Sequence, residues 1–182
     1  HWLGTDTTGR DVWARILYGA RVSLSVGLVA VTISTVIGVV IGGLAGYARG
    51  WTDMVLMRFT DMVMTFPSLV IIIAVVAALG PSIYNTMLVI GILTWTGTAR
   101  LVRGQFLSLR EQQFVLAARS IGVEPRTIMF RHMLPNVLSA LTVAATLGVA
   151  SAILQEASLS FLGLGVQSPT PSWGNMLRDA QT

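Results

Sequence analysis

Three long stretches of the chain contain no charged residue. They lie between Arg21 and Arg49, between Asp61 and Arg100, and between Arg131 and Glu156. A helix that spans a bilayer needs about 20 apolar residues, and a charge near its centre costs several kcal/mol. The sequence therefore predicts a helical membrane protein, in agreement with a composition that is 53% hydrophobic and only 11% charged.

The middle stretch is too long for one helix, and it is interrupted by Gly80-Pro81, a pair that cannot continue a helix. Four spans are therefore predicted, at about 22–46, 62–80, 84–102 and 137–155. They place residues 1–21, 81–83 and 156–182 on one side of the membrane and residues 47–61 and 103–136 on the other. Both ends of the chain are expected to have been cut from a longer protein.

All twelve basic residues are arginine, and they are distributed unevenly between the two predicted sides. Seven lie in 47–61 and 103–136, four lie on the other side, and Arg100 lies inside a span. Because positive charge is enriched in cytoplasmic loops, the side with seven arginines is predicted to be cytoplasmic. The arginines do not gather on one face with aromatic residues, so membrane lipid is an expected partner and nucleic acid is not.

Several classes of chemistry are excluded by residues that the sequence lacks. Without lysine it cannot form the phosphate-binding loop of nucleotide triphosphatases, and without cysteine it has neither disulfides nor thiolate metal ligands. Neither His1 nor His132 has a partner at a catalytic spacing, so no catalytic or metal site is predicted. The spans hold no ionisable group that would bind a driving ion, so the energy for any transport is expected to come from another protein.

The first span contains three glycines, Gly38, Gly42 and Gly46, at a strict four-residue spacing. Small residues at this interval allow a second helix to approach closely in lipid. The glycines are predicted to be a helix-packing face. The sequence leaves open whether the second helix belongs to this chain or to a partner subunit.

The loop 103–136 is predicted to be an ordered projection. A helix over 106–121 is expected to carry Ala117, Ala118 and Ile121 on one side and to end at Gly122 in a left-handed turn. A short helix over 125–133, with Pro125 at its first position, is expected to stop before Pro135. The small face suits either docking of another protein or packing on the chain's own spans.

The sequence AARSIGVEPRTIMFRHMLPN, residues 117–136, resembles the cytoplasmic EAA loop of permease subunits from ABC importers. That loop has the pattern Glu-Ala-Ala, three residues, glycine, and later His-x-Leu-Pro-Asn. The matching residues here are Ala117, Ala118, Gly122, His132, Leu134, Pro135 and Asn136. The glutamate of the pattern is replaced by Leu116, which puts in doubt the polar contact that the glutamate would make.

Two further stretches are similar to the second permease subunit of dipeptide, oligopeptide and nickel importers. They are HWLGTDTTGRDVWARILYGARVSL at 1–24 and EASLSFLGLGVQSPTPSWGNML at 156–177. The resemblance implies an all-α fold, a polytopic helical bundle of the type I ABC importer transmembrane domain. Such a domain has six spans, of which about four, the second to the fifth, would lie in residues 1–182.

The resemblance also implies a membrane location, partner proteins and a mechanism for the chain. It implies a multi-pass permease of a prokaryotic cytoplasmic (inner) membrane, with a second permease subunit, two cytoplasmic ATPase subunits and an extracytoplasmic solute-binding protein as partners. ATP and magnesium would be bound by the ATPase, so this chain would need no cofactor and would not be an enzyme. The residues implied for coupling to the ATPase are Ala117, Ala118, Gly122, Arg126, Arg131, His132, Leu134, Pro135 and Asn136.

The expected cargo is peptides or related small solutes, nickel among them, and the sequence does not indicate which residues bind it. A non-transporting membrane scaffold and a channel are the alternative functions. The uncharged stretch that follows Glu156, up to residue 175, is expected to lie at the outer surface or in a protein-covered cavity, since lipid cannot satisfy irregular backbone. It is interpreted either as part of an outer gate or as a passive loop.

Overall fold

A computed structural model of the protein describes residues 1–6, 8–167 and 169–181. Within these ranges the regular structure is helical, apart from a single antiparallel bridge between Thr5 and Asp11. The helices are α1 Val12–Ala48, α2 Gly50–Thr65, α3 Ser68–Leu79, α4 Ile83–Leu93, α5 Trp95–Leu109, α6 Gln113–Ser120, α7 Pro125–Phe161 and α8 Trp173–Asp179. The predicted all-α class is confirmed.

Two helices, α1 and α7, are each long and apolar enough to cross a membrane. Each has 37 residues, and they contain the predicted spans 22–46 and 137–155. The helices α2 and α3 meet the same criteria only when they are taken together as one bent pair. The number of four spans and their limits stay a prediction.

The other two predicted spans are not continuous helices. The stretch 62–80 is divided because α2 ends at Thr65 and Pro67 precedes α3, and the residue before a proline is driven out of the helical region. Phe66 accordingly has φ −88° and ψ 137°. The stretch 84–102 is divided at Thr94, the first residue of the sequence TWTG at 94–97, whose residues favour helix weakly.

The described residues form two compact units. The first unit comprises His1–Thr32, Pro67–Ile92 and Leu147–Thr182. Its two long helical segments approach closely at Gly27, where a Cβ would lie 2.9 Å from Ile153 and 3.1 Å from Val149. Its buried apolar side chains are Val26, Ala30, Val31, Ile72, Val76, Met87, Val89, Ile90, Ala152, Leu159 and Val166.

The second unit comprises Ile33–Phe66 and Leu93–Thr146, and it has its own apolar core. This core joins α5 and α6 to the first half of α7, and the end of α1 packs against it. The buried members are Val102, Phe106, Val115, Ala118, Ile128, Met133, Val137 and Leu141. The loop 103–136 is therefore built into the core of this unit.

Candidate functional site

The predicted helix over 106–121 is wrong, because the structure divides it into α5 and α6. The two helices are separated by a tight turn at residues 110–112, in which the Gln112 N–H donates to the Leu109 carbonyl at 3.0 Å. Gln112 is extended, with ψ 148°, and so begins α6 in a new direction. The turn allows Val115 and Ala118 to be buried in the core, which a straight continuation of α5 would not provide.

The predicted left-handed turn at Gly122 is confirmed. Gly122 has φ 78°, a conformation that costs little only for glycine. Its N–H donates to the Arg119 carbonyl at 3.0 Å, and the Val123 N–H donates to the Ala118 carbonyl at 3.0 Å. These two bonds form a Schellman motif, and they use carbonyls that the end of α6 would otherwise leave unpaired. The next helix begins as predicted, with Pro125 at its first position.

The prediction that this next helix stops before Pro135 is wrong, because α7 continues through Pro135 to Phe161. The six residues Ile128–Met133 are π-helical, and the Leu134 N–H donates to the Met129 carbonyl, five residues back. A proline in a regular helix removes a hydrogen bond and clashes with the preceding turn. The wider π turn absorbs the irregularity that Pro135 introduces, so the helix continues.

The residues predicted for coupling differ widely in exposure. Ala118 is only 7% exposed and belongs to the core, so the prediction that it shares a face with Ala117 and Ile121 is wrong. The outward face of α6 instead carries Ala117 and two large apolar side chains, Leu116 at 45% exposure and Ile121 at 81%. Gly122, Arg126, Arg131, Pro135 and Asn136 are exposed, whereas His132 and Leu134 are half-buried.

Two of the predicted residues support the helix itself. The Asn136 side-chain amide donates to the His132 carbonyl at 2.6 Å, and this carbonyl lies next to the turn that Pro135 distorts. Leu134 packs against the core of the second unit. Asn136 thus has a local hydrogen bond and Leu134 a packing contact, and the part of both residues in coupling stays a prediction.

The three glycines of α1 pack against α5. The second helix at this face therefore belongs to the same chain and not to a partner subunit. A Cβ on Gly38 would lie 2.6 Å from Thr98 Cβ, and one on Gly46 would lie 2.6 Å from Phe106 Cβ. A Cβ on Gly42 would overlap the Ala99 carbonyl oxygen. The glycines thus allow α1 and α5 to touch at backbone distance.

Comparison with known proteins adds an independent finding. Residues 38–182 match the family described as the binding-protein-dependent transport system inner membrane component. The chain belongs to this family. The match confirms the resemblance to an ABC importer permease and to its type I transmembrane domain, which was based on the loop and the two flanking stretches.

Three relatives of this chain illustrate the range of names in the family. The chain is 48% identical to the dipeptide transport system permease protein DppC of Alkalihalophilus pseudofirmus. It is 46% identical to a putative peptide permease protein of Brucella suis and 43% identical to the glutathione transport system permease protein GsiD of Pectobacterium atrosepticum. In each case the match covers 100% of this chain and 60% of the relative, so the chain spans about three-fifths of their length.

A buried carboxyl group lies near the C-terminal end of α7. Glu156 is fully buried, and it accepts hydrogen bonds from Ser23 Oγ at 3.0 Å and from Ser160 Oγ at 2.6 Å. Each hydroxyl in turn accepts a backbone N–H, Ser160 from Val166 at 3.0 Å and Ser23 from Trp173 at 3.3 Å. Four segments of the first unit thus meet at this one carboxyl group.

The segment that follows is ordered by its own contacts. The helix α8 begins at Ser172 with a capping box, in which Ser172 and Asn175 each bond the other's backbone N–H. Gly174 lies so close to α7 that a Cβ there would be 2.5 Å from the Ala157 carbonyl oxygen. The Trp173 indole N–H donates to the Ile16 carbonyl at 3.3 Å.

An ionic cluster lies beside α8. Arg15 contacts Asp6 at 2.5 Å and Asp179 at 3.0 Å, and Arg10 contacts Asp6 at 2.8 Å. Burial acts to raise the pKa of Asp6, but hydrogen bonds from the Arg10 backbone and from the Thr8, Arg10 and Arg15 side chains outweigh it and hold that pKa well below its usual range. Asp6 therefore keeps its negative charge into acid solution, because it is protonated only below the ordinary range of a carboxyl group.

The sequence did not predict that Glu156 accepts buried hydrogen bonds, and it indicated only that this charge ends an apolar stretch. One signal was present, since Ser160 follows Glu156 by four residues and so lies on the same side of a helix. The second donor, Ser23, is 133 residues away in sequence and could be found only from the fold.

Proposed function

We propose that this chain is a permease subunit of an ATP-driven importer in a prokaryotic cytoplasmic membrane. It forms the translocation pathway together with a second permease subunit. Two cytoplasmic ATPase subunits bind ATP and magnesium, and an extracytoplasmic solute-binding protein delivers the cargo. The proposal rests on one observation above all, the ordered projection from α6 through Gly122 to the start of α7 in a chain of this family.

The outward face of α6 suits a protein partner. Leu116, Ala117 and Ile121 are exposed on this short helix, and exposed apolar side chains that lie together mark an interaction surface. The exposed arginines Arg126 and Arg131 follow the turn. Leu116 stands where the family pattern has glutamate, so we infer that the contact to the ATPase is apolar at this position.

The names of the relatives favour one class of cargo. They mention dipeptides, peptides and glutathione, and none of the three mentions nickel. We therefore propose short peptides as the cargo and leave nickel aside.

The experiment that tests the function uses the full-length permease reconstituted with its partner permease, its ATPase subunits and its binding protein. Peptide-loaded binding protein should stimulate ATP hydrolysis and peptide entry into proteoliposomes. A scaffold or a channel would show no dependence of hydrolysis on the loaded binding protein. That outcome would replace the importer by one of these two alternatives.

The proposed topology makes a separate prediction. Single cysteines at Thr52 or Ser120 should be protected from a membrane-impermeant thiol reagent in intact cells, because both positions are assigned to the cytoplasm. Cysteines at Thr5 or Leu177 should react. All four positions are exposed, so burial does not account for a difference. The opposite labelling pattern would reverse the orientation and remove the loop from the reach of an ATPase.

The turn at Gly122 predicts a defect in ATPase binding. Valine at φ 78° costs about 1–2 kcal/mol, and it distorts the exposed turn, although there is open space around it. Gly122→Val should leave the abundance of the permease normal but reduce co-purification of the ATPase several-fold. Ala117→Arg should act similarly, since Ala117 is exposed on the same projection.

The matched control is Ser120→Ala, which alters an exposed neighbour without strain. Ala118→Arg is not a test of docking, because Ala118 is buried in the core. Full ATPase recovery with both Gly122→Val and Ala117→Arg would show that the projection is not the coupling element.

A further inference from the structure

Two arginines of the loop hold one residue at the end of α1. Arg110 Nη1 donates to the backbone carbonyl of Tyr47 at 2.7 Å. The last four carbonyls of a helix have no partner within it, and a cation there also offsets the helix dipole. The last turn of α1 contains no basic residue of its own. Arg110 therefore supplies, from the loop, a cationic donor to the last turn of α1.

The second arginine holds the same residue by its ring. The Arg119 guanidinium carbon lies 5.2 Å from the centroid of the Tyr47 ring, within the range of a cation–π contact. Arg119 belongs to the last turn of α6, three residues before the Gly122 turn. Tyr47 is thus held through its carbonyl by Arg110, the residue that follows α5, and through its ring by Arg119 at the end of α6.

Apolar packing supports the same contact. Tyr47 packs against the core that contains Val115 and Ala118, the two buried residues of α6. In contrast, the neighbouring ion pair of Arg49 with Glu111 has a distance of 3.4 Å and side chains that are 55% and 65% exposed. Such an exposed pair contributes little. The contacts of Tyr47 with Arg110 and Arg119, which we call the Tyr47 clamp, therefore add to the apolar packing between α6 and the end of α1.

We propose that the Tyr47 clamp passes the movement of the loop to α1 during transport. The inference rests on the proposed function, in which an ATPase moves the projection at Gly122. The contacts of Arg110 and Arg119 with Tyr47 join the projection directly to the end of α1, so a movement of α6 carries the end of α1 with it. Arg110 and Arg119 are positioning residues in this proposal.

The test measures how much peptide enters per ATP hydrolysed, in proteoliposomes that contain the complete transporter. The double variant Arg110→Met with Arg119→Met keeps the side-chain length and removes both cations. It should lower the ratio of peptide transported to ATP hydrolysed by at least about fivefold, which is the factor that corresponds to the lower end of typical coupling energies. The ATPase content and the rate of hydrolysis should stay near those of the parent.

Two controls separate the clamp from general packing. Tyr47→Phe keeps the ring and the carbonyl, so it should keep the parent ratio. Arg58→Met removes an exposed arginine that makes no ion pair among the described residues, and it should also keep the ratio. Since Tyr47 and Arg119 act through one contact, the effects of Tyr47→Leu and Arg119→Met should be less than additive.

An unchanged ratio in the double variant overturns the proposal. If the double variant does not fold or does not reach the membrane, Arg119→Met alone removes only the ring contact, and an unchanged ratio there overturns the proposal equally. A loss of ATPase from the membrane would also contradict it, because the clamp would then serve docking and not transmission. Failure of the proposed function itself is seen separately, as an absence of stimulated hydrolysis in the parent transporter.

Discussion

Gly42→Ala should sharply reduce the amount of folded permease. A Cβ at this position overlaps the Ala99 carbonyl oxygen and lies 3.0 Å from Val102 Cβ. Both neighbours are part of α5, and a backbone carbonyl cannot move aside as the end of a flexible side chain can. The two helices must separate, and overpacking of this kind costs about 1–3 kcal/mol. In lipid the loss is not offset by other forces, because helix association there depends on close packing.

The measurement is the melting temperature of the purified full-length complex, together with the abundance of the permease in membranes. The matched control is Gly104→Ala, since Gly104 also lies in a helix of the second unit and a Cβ there meets nothing within 4 Å. Gly104→Ala should be neutral or slightly stabilising, because alanine favours a helix more than glycine does. Equal melting temperatures for the two variants would contradict the close packing of α1 on α5.

The glycine spacing predicted a packing face correctly but not its partner. Spacing reports which residues share one side of a helix, and it contains no information on which helix meets that side. Only the contacts with Thr98, Ala99 and Phe106 identify α5. The same limit applies to Ser23 and Glu156, which are far apart in sequence and come together only in the fold.

Signals that act within a few residues were reliable. The turn at Gly122 and the helix start at Pro125 were predicted from local backbone preferences, and the structure has both. The continuity of helices was less predictable. A proline favours a helix end locally, yet α7 continues through Pro135, because burial of Met133 and Val137 on either side stabilises one continuous helix.

The two sides of α6 show why exposure was hard to predict. Ala117 and Ala118 are chemically identical and adjacent, but one is exposed and the other is 7% exposed. The turn at residues 110–112 sets the rotation of α6, and its position depends on where the core of the second unit lies. A helix drawn straight from 106 to 121 therefore assigned the wrong neighbours to Ala118.

Glu156→Leu should destabilise the first unit and release α8 from it. The substitution removes the acceptor of two buried hydroxyl groups, those of Ser23 and Ser160. Each buried polar group that loses its partner costs about 1–3 kcal/mol. The same hydroxyls hold the backbone N–H groups of Val166 and Trp173, so their displacement loosens the connection that leads to α8 and α8 itself. We expect a lower melting temperature of the complex and faster proteolysis between residues 162 and 172.

Glu156→Gln separates the hydrogen bonds from the shape of the side chain. It keeps one oxygen as an acceptor, and its amide can donate to the other serine oxygen, so its effect should be much smaller than that of leucine. Glu111→Leu is the matched control, because Glu111 is 65% exposed and its loss leaves no buried group unpaired. If Glu156→Leu melts and is cleaved like Glu111→Leu, the carboxyl group does not hold these segments together. If leucine and glutamine are equally damaging, the site requires the carboxyl group itself and not merely an acceptor, and the structural role argued from Ser23 and Ser160 is insufficient.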